Sequence, residues 1–258
     1  MLEGKNVIVL DLETARSAED CKHCGKSQDG HHEDGTCLDG SHAKVFDPIG
    51  WNNRPALGLS IGGYYDYADD RVHWFDDHTL KATMKHLVDR QPLMVGFNSI
   101  QFDFTLMRGL LRRRVEDDDS HPSSLAGITL TKLCDDFKRL AADSYDLLAE
   151  IWRADEDGKY ERGLNSLDAI AKANGLGGKL SNGAQAPRDW AAGRYADVLN
   201  YCQDDILKTR ALFEIVCNAS NQEEPDFATI QRSSGPLKIA APTVWGHGTI
   251  EWNRREWV

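Results

Sequence analysis

The apolar run Val7-Ile8-Val9-Leu10 leads directly into Asp11-Leu12-Glu13. Side chains alternate along a strand, so Asp11 and Glu13 point to one side and can grip one cation together. A further acid, Asp103, closes the stretch Val95-Gly96-Phe97-Asn98-Ser99-Ile100-Gln101-Phe102. A third stretch, Tyr201-Cys202-Gln203-Asp204-Asp205, continues as Ile206-Leu207-Lys208-Thr209-Arg210-Ala211-Leu212-Phe213 with helical periodicity. Tyr201 and Asp205, four residues apart, then share a helix face, and Asp204 is rotated away from it. Hard divalent cations such as Mg²⁺ and Mn²⁺ take oxygen ligands, with water and phosphate completing the shell. Two such ions about 3.5–4 Å apart stabilise both the attacking and the leaving oxygens of an in-line displacement. Four bare carboxylates would repel one another and hold protons, so bound metal best explains an ionised set. Singly the motifs are weak, because Asp-x-Glu after a strand is commonly a cap and Tyr-x-x-x-Asp a packed tyrosine beside a surface acid.

The elements that must carry these residues follow from pattern. After the first strand, residues 15–55 form a loop-like insertion rich in Gly, Asp, His and Cys. Residues 57–65 and 71–75 read as an antiparallel hairpin turning at Ala68-Asp69-Asp70. A helix is expected over 77–89 with His78 or Thr79 as cap, and a buried strand over 93–97. That strand delivers the second motif to a helix carrying Phe104, Leu106, Met107, Leu110 and Leu111. Helical patterns cover 130–142, 166–174 and 196–217, and Ser144-Tyr145-Asp146-Leu147-Leu148 suits the last strand, with Asp146 read as a structural acid. The order β-β-β-α-β-α-β-α predicts an α/β fold, a mixed sheet with helices on its faces. We divide the chain into a catalytic unit, 1–220, and an extension, 221–258, whose tail from Leu237 onward holds Trp245, Trp252 and Trp257. These tryptophans are expected to pack on the domain rather than to stack on a base.

In this order, the three stretches resemble the DEDD superfamily of 3′–5′ exonucleases, and Tyr-x-x-x-Asp marks its tyrosine (DEDDy) branch. That branch includes ribonuclease D and the proofreading domains of DNA polymerases. The chain is most similar to predicted 3′–5′ exonucleases related to the exonuclease domain of family B polymerases. Residues 166–179 and Ala186-Pro187-Arg188-Asp189-Trp190 carry the similarity too, which runs from about residue 5 to about residue 217 around the insertion. The resemblance implies a ribonuclease-H-like fold, two Mg²⁺ or Mn²⁺ ions, and single-stranded DNA or RNA 3′ ends as substrate, DNA favoured. By the same resemblance Asp11, Glu13, Asp103 and Asp205 bind metal, and Tyr201 orients or deprotonates the attacking water. Leu12, Asn98 and Phe102 would lie near the terminal nucleotide. The competing reading is a nucleic-acid-binding or replication-accessory module with a vestigial site.

With 258 residues, the chain is long enough for one sizeable domain. The expectation is a soluble, cytoplasmic protein, since no apolar run reaches the ~18 residues of a membrane span and no signal peptide is evident. A net charge of −11 argues against broad binding to duplex nucleic acid but not against holding a short single-stranded end. Candidate cations for that end are Arg108, Arg112, Arg113, Arg114, Lys179, Arg188 and Lys208, although Arg112-Arg113-Arg114 reads better as a solvated helix end. Asp117-Asp118-Asp119 is read as a solvated loop.

The insertion contains Cys21-x-x-Cys24, His31, His32, Cys37 and His42 in a segment nearly devoid of apolar residues. Such a segment cannot build a core, and a structural Zn²⁺ would supply the missing cross-link. The expected ligands are Cys21, Cys24, Cys37 and His42, with His32 the next candidate. The alternative is a mobile Cys-rich loop.

Overall fold

The computed structural model describes residues 2–40, 44–117, 125–155, 164–178, 185–219, 226–244 and 250–251. The β-branched run Val7–Thr14 forms the first strand, β1, and only Asp11 and Thr14 within it are partly open. A single helical turn, α1 (Arg54–Leu57), precedes β2 (Leu59–Asp66) and β3 (Arg71–Phe75). The hairpin thus starts at Leu59 rather than at 57. Pro55 presets a helical φ for the turn and Gly58, at φ +66°, ends it.

Helix α2 (Leu80–Arg90) leads to β4 (Leu93–Gly96), α3 (Asp103–Asp117) and α4 (Leu125–Ala142). The two-residue β5 (Tyr145–Asp146) gives way at once to α5 (Leu147–Ala154). Next come α6 (Leu167–Ala173), α7 (Ala186–Ala191) and the long α8 (Tyr195–Ala219). A hairpin of β6 (Phe227–Arg232) and β7 (Gly235–Ala240) follows, then β8 (Thr243–Val244) paired with β9 (Ile250–Glu251).

Among the described residues the main sheet runs β3-β2-β1-β4-β5. β1 is antiparallel to β2 and parallel to β4, and β4 is parallel to β5. This is the expected α/β architecture, a ribonuclease-H-like mixed sheet flanked by helices, with the Cys/His-rich insertion directly after β1. Alternation along β1 divides the core. Ile8, Leu10 and Leu12 pack with α2, α3 and α4 through Met84, Leu87, Met107 and Phe137. Val7 and Val9 pack on the opposite face with Ile206, Phe213 and Val216 of α8. Each such fully buried side chain contributes about 1.5–3 kcal/mol relative to exposure. Asp11 and Glu13 continue the odd-numbered series, so they emerge on the α8 face.

The segment from Leu237 is not wholly a tail. Ala228, Ile230, Leu237 and Ile239 alternate inward along the β6–β7 hairpin and join the α8-side core. Trp245, Trp252, Trp257, Asp118 and Asp119 lie outside the described residues. No helix among those described is long and apolar enough to cross a membrane.

Candidate active site

The third motif reaches β1 because α8 packs tightly on the sheet. Gly63 of β2 is the register partner of Asp11. A Cβ at Gly63 would stand 2.8 Å from the Trp74 ring and 2.9 Å from Cδ1 of Ile206, so the missing side chain leaves room for both against the strand. The Cys202 thiol sits 3.6 Å from the Asp11 carbonyl, to which it donates. Asp11, Glu13 and Asp205 thereby bring carboxylate oxygens within 4.8 Å of one another. The Tyr201 hydroxyl is hydrogen-bonded to the Asp205 carboxylate.

Asp103 opens α3 and reaches the backbone N–H of Leu12, between the two β1 acids. It is not one of the trio within 4.8 Å, yet its charge acts on the Cys202 thiol together with those of Asp11, Glu13 and Asp205. The preceding turn is tight: Asn98 has φ +66°, a conformation that asparagine tolerates better than most residues. Asp146 holds this turn. Its carboxylate accepts from the N–H groups of Asn98 at 2.8 Å and Ile100 at 3.0 Å. It also accepts from those of Leu148 at 3.1 Å and Ala149 at 3.3 Å, capping α5. The expected structural role of Asp146 is thus to tie the second motif to β5.

Burial sets the protonation of this site. It pushes the Asp103 carboxyl well above the usual carboxylate range, with the charge of Asp146 adding to the effect. Burial is likewise the largest cause holding the Tyr201 hydroxyl protonated, followed by the charges of Asp205, Glu13 and Asp11. The Cys202 thiol is also pushed well up by burial and then by the surrounding acids, which makes it a packing group and not a nucleophile.

These side chains open into a cleft of about 460 Å³. Leu12, Asn98 and Phe102 all line it, and so do Arg16, Trp51, Trp152 and Arg188. Trp51 is 65 % exposed and tilts over Phe102, with ring centroids 6.2 Å apart. The Arg54 guanidinium lies 5.8 Å from the centroid of the same ring. Arg16, Trp51 and Trp152 were not singled out in the sequence, because nothing local reveals that a loop and a distant helix converge on one cleft. Among the candidate cations within the described residues, Arg188 alone lines the cleft. Arg113 donates to the Pro55 carbonyl at 2.9 Å and Arg114 pairs with Asp77, so both act as structural pins. Arg108 is partly buried beside Cys134, and Lys179 lies outside the described residues.

Lys208 is buried, and donates to the Gly178 carbonyl at 2.8 Å and to Asp204. Asp204→Ala is therefore expected to lower thermal stability by about 1.5–3 kcal/mol, the cost of losing a charged hydrogen bond, and to spare cleavage. Unfolding curves and specific activity measured side by side check this. A dead Asp204→Ala beside an active Asp205→Ala would mean that the third motif is out of register.

In the insertion, Cys21, Cys24 and His31 present ligand atoms within 4.8 Å of one another. The Cys37 thiol is buried beside this trio but is not one of it, and it donates to the Asp39 carboxylate at 2.9 Å. His42 lies outside the described residues, and His32 is exposed. The spacing gave no reason to prefer His31 over its neighbour.

A family model described as a predicted 3′–5′ exonuclease related to the exonuclease domain of PolB matches residues 69–226. The match contains Asp103, Tyr201 and Asp205 and begins after Asp11 and Glu13. No curated protein matches the chain.

Proposed function

The chain belongs to the family of predicted 3′–5′ exonucleases related to the exonuclease domain of PolB, and from that membership we propose that it hydrolyses phosphodiester bonds at single-stranded nucleic-acid 3′ ends. The observation that carries the reading is the convergence of Asp11, Glu13 and Asp205 within 4.8 Å in a cleft shared with Tyr201 and Asp103. All four acids offer hard oxygen donors, and the exposed rim of the cleft supplies aromatic faces.

That donor set suits Mg²⁺ or Mn²⁺, with Asp11, Glu13, Asp103 and Asp205 as the residues that would hold two ions. Bound there, such a pair would stabilise the attacking and leaving oxygens of the phosphodiester. Tyr201 orients the water through its hydroxyl. With its proton donated to Asp205 the hydroxyl accepts from the water and is not a base, because burial, the largest influence on its proton, persists even when the carboxylate charges are neutralised. Leu12, Asn98 and Phe102 flank the terminal nucleotide, and Trp51 and Trp152 offer stacking surfaces for unpaired bases. Arg16 and Arg188 give local positive charge within a chain of net charge −11. We favour DNA over RNA on the likeness to polymerase exonucleases, and a cytoplasmic setting, where thiols stay reduced.

The test is digestion of 5′-labelled single-stranded DNA and RNA of one sequence, with Mg²⁺ and with Mn²⁺. A ladder shortening from the 3′ end supports the reading. No cleavage of either polymer under either metal overturns it, and binding without cleavage that is unchanged in Asp11→Ala favours the vestigial module.

Proton and metal compete at Asp103. Its raised pKa means that the folded chain holds this proton more tightly than the unfolded chain does. The resulting stabilisation is complete below the unfolded value of about 3.9 and is lost as pH rises through the folded value. Metal binding requires the deprotonated form. The rise in Tm on adding Mg²⁺ is therefore expected to be larger at pH 8 than at pH 5, read by thermal denaturation with and without chelator. An equal rise at both would remove Asp103 from the ligand set.

A further inference from the structure

Between Glu19 and Pro48, the buried residues among those described are Cys21, His31 and Cys37. The large apolar side chains Leu38 and Val45 point outward, 53 % and 62 % exposed. This segment is therefore ordered around two cysteines and a histidine where a folded loop would otherwise need apolar residues.

The local backbone is shaped to aim sulfur inward. In Cys21-Lys22-His23-Cys24-Gly25-Lys26, the Gly25 N–H donates to the Cys21 carbonyl at 2.7 Å and the Cys21 N–H to the Lys26 carbonyl at 2.7 Å. Gly25 sits at φ +72°, which L side chains rarely adopt. The backbone N–H groups of His23, Cys24 and Asp47 converge on the Cys21 sulfur, where they offset thiolate charge. His31 and Cys37 face each other across an isolated antiparallel bridge.

The spacing of the donor atoms fits a metal. Sγ of Cys24 lies 3.5 Å from Nε2 of His31. A tetrahedral Zn²⁺ with Zn–S of about 2.3 Å and Zn–N of about 2.0 Å has an S···N edge of roughly 3.5 Å. Nδ1 of His31 is 3.0 Å from the Ser27 carbonyl, which can only accept. The ring proton is therefore on Nδ1, and the Nε2 lone pair faces the sulfurs, the orientation that a histidine ligand takes from its outer hydrogen bond.

We propose that Cys21, Cys24, His31 and Cys37 bind one structural Zn²⁺. All three sulfurs bind as thiolates, any thiol proton still present passing to solvent, and Cys37 gives up its 2.9 Å contact with Asp39, which stays paired with Lys26. The ion cross-links the insertion to itself beside the cleft. A Cβ at Gly25 would lie 3.3 Å from Nε of Arg16, so the cysteine turn packs directly beneath a cleft-lining residue.

The test is metal analysis of the full chain purified without added metal, followed by replacement of Zn²⁺ with Co²⁺. About one Zn²⁺ per chain is expected, with a Co²⁺ spectrum showing thiolate charge transfer and intense tetrahedral d–d bands. Asp205→Asn keeps the ion, which separates it from metal at the carboxylates. His31→Ala and Cys24→Ser lower zinc content at least fivefold, His31→Cys retains it as a four-thiolate site, and His32→Ala and His42→Ala leave it unchanged. Zinc near zero with freely titratable cysteines overturns the proposal, and so does full zinc in His31→Ala. Zinc content is read without substrate, so a chain that holds zinc but cuts nothing sinks the nuclease reading alone.

Discussion

Exchanging Asp205 for Ala, or Asp11 for Asn, is expected to lower cleavage by roughly 10³-fold or more, about 4 kcal/mol of lost transition-state stabilisation. Each removes one of three carboxylates whose oxygens lie within 4.8 Å of one another. The fold should survive, because in the absence of metal these charges oppose one another and removing one relieves the repulsion. Single-turnover cleavage at saturating metal, beside a chelated melting curve, separates the two effects. Activity within tenfold of the parent for both variants would leave the trio without a catalytic role.

Tyr201→Phe is expected to slow cleavage by a factor of about 10²–10⁴, the range for losing a positioned proton donor or acceptor, while metal binding persists. The ring is buried and its packing with Ala186 and Val198 does not need the hydroxyl, so stability should hardly change. Because the hydroxyl is held protonated, the loss should be the same at pH 7 and pH 9. A defect that shrank steadily with falling pH would point to tyrosinate acting as base.

Much of this site was legible because its signals are periodic. The alternation in Val7–Thr14 assigns Asp11 and Glu13 to one face of a strand, and four-residue spacing assigns Tyr201 and Asp205 to one face of a helix. What escaped notice depends on contacts between segments distant in sequence. Asp146 is legible as a structural acid at a strand end, but its partners are not, because the N–H groups of Asn98 and Ile100 lie far upstream. His31 and His32 are adjacent in sequence, and only the backbone path through Ser27 and Cys37 turns the first inward. The β6–β7 hairpin was hidden because half its residues face solvent and its apolar face is completed by α8.

The division of β1 between two cores makes this strand intolerant of length change. One residue added between Val9 and Leu10 would turn Asp11 and Glu13 toward Met84 and Phe137, and send Leu10 and Leu12 toward Tyr201. Such a chain would lose its chemistry and have to desolvate two charges in order to fold. Past Arg16, whose N–H still donates to the Leu57 carbonyl at 2.9 Å, the constraint relaxes. Lengthening a loop there costs only the logarithm of its size, so the strand's end is where this fold can gain extra sequence without moving its acids. A series of insertions should therefore show abrupt failure inside β1 and gradual change in the loop beyond it.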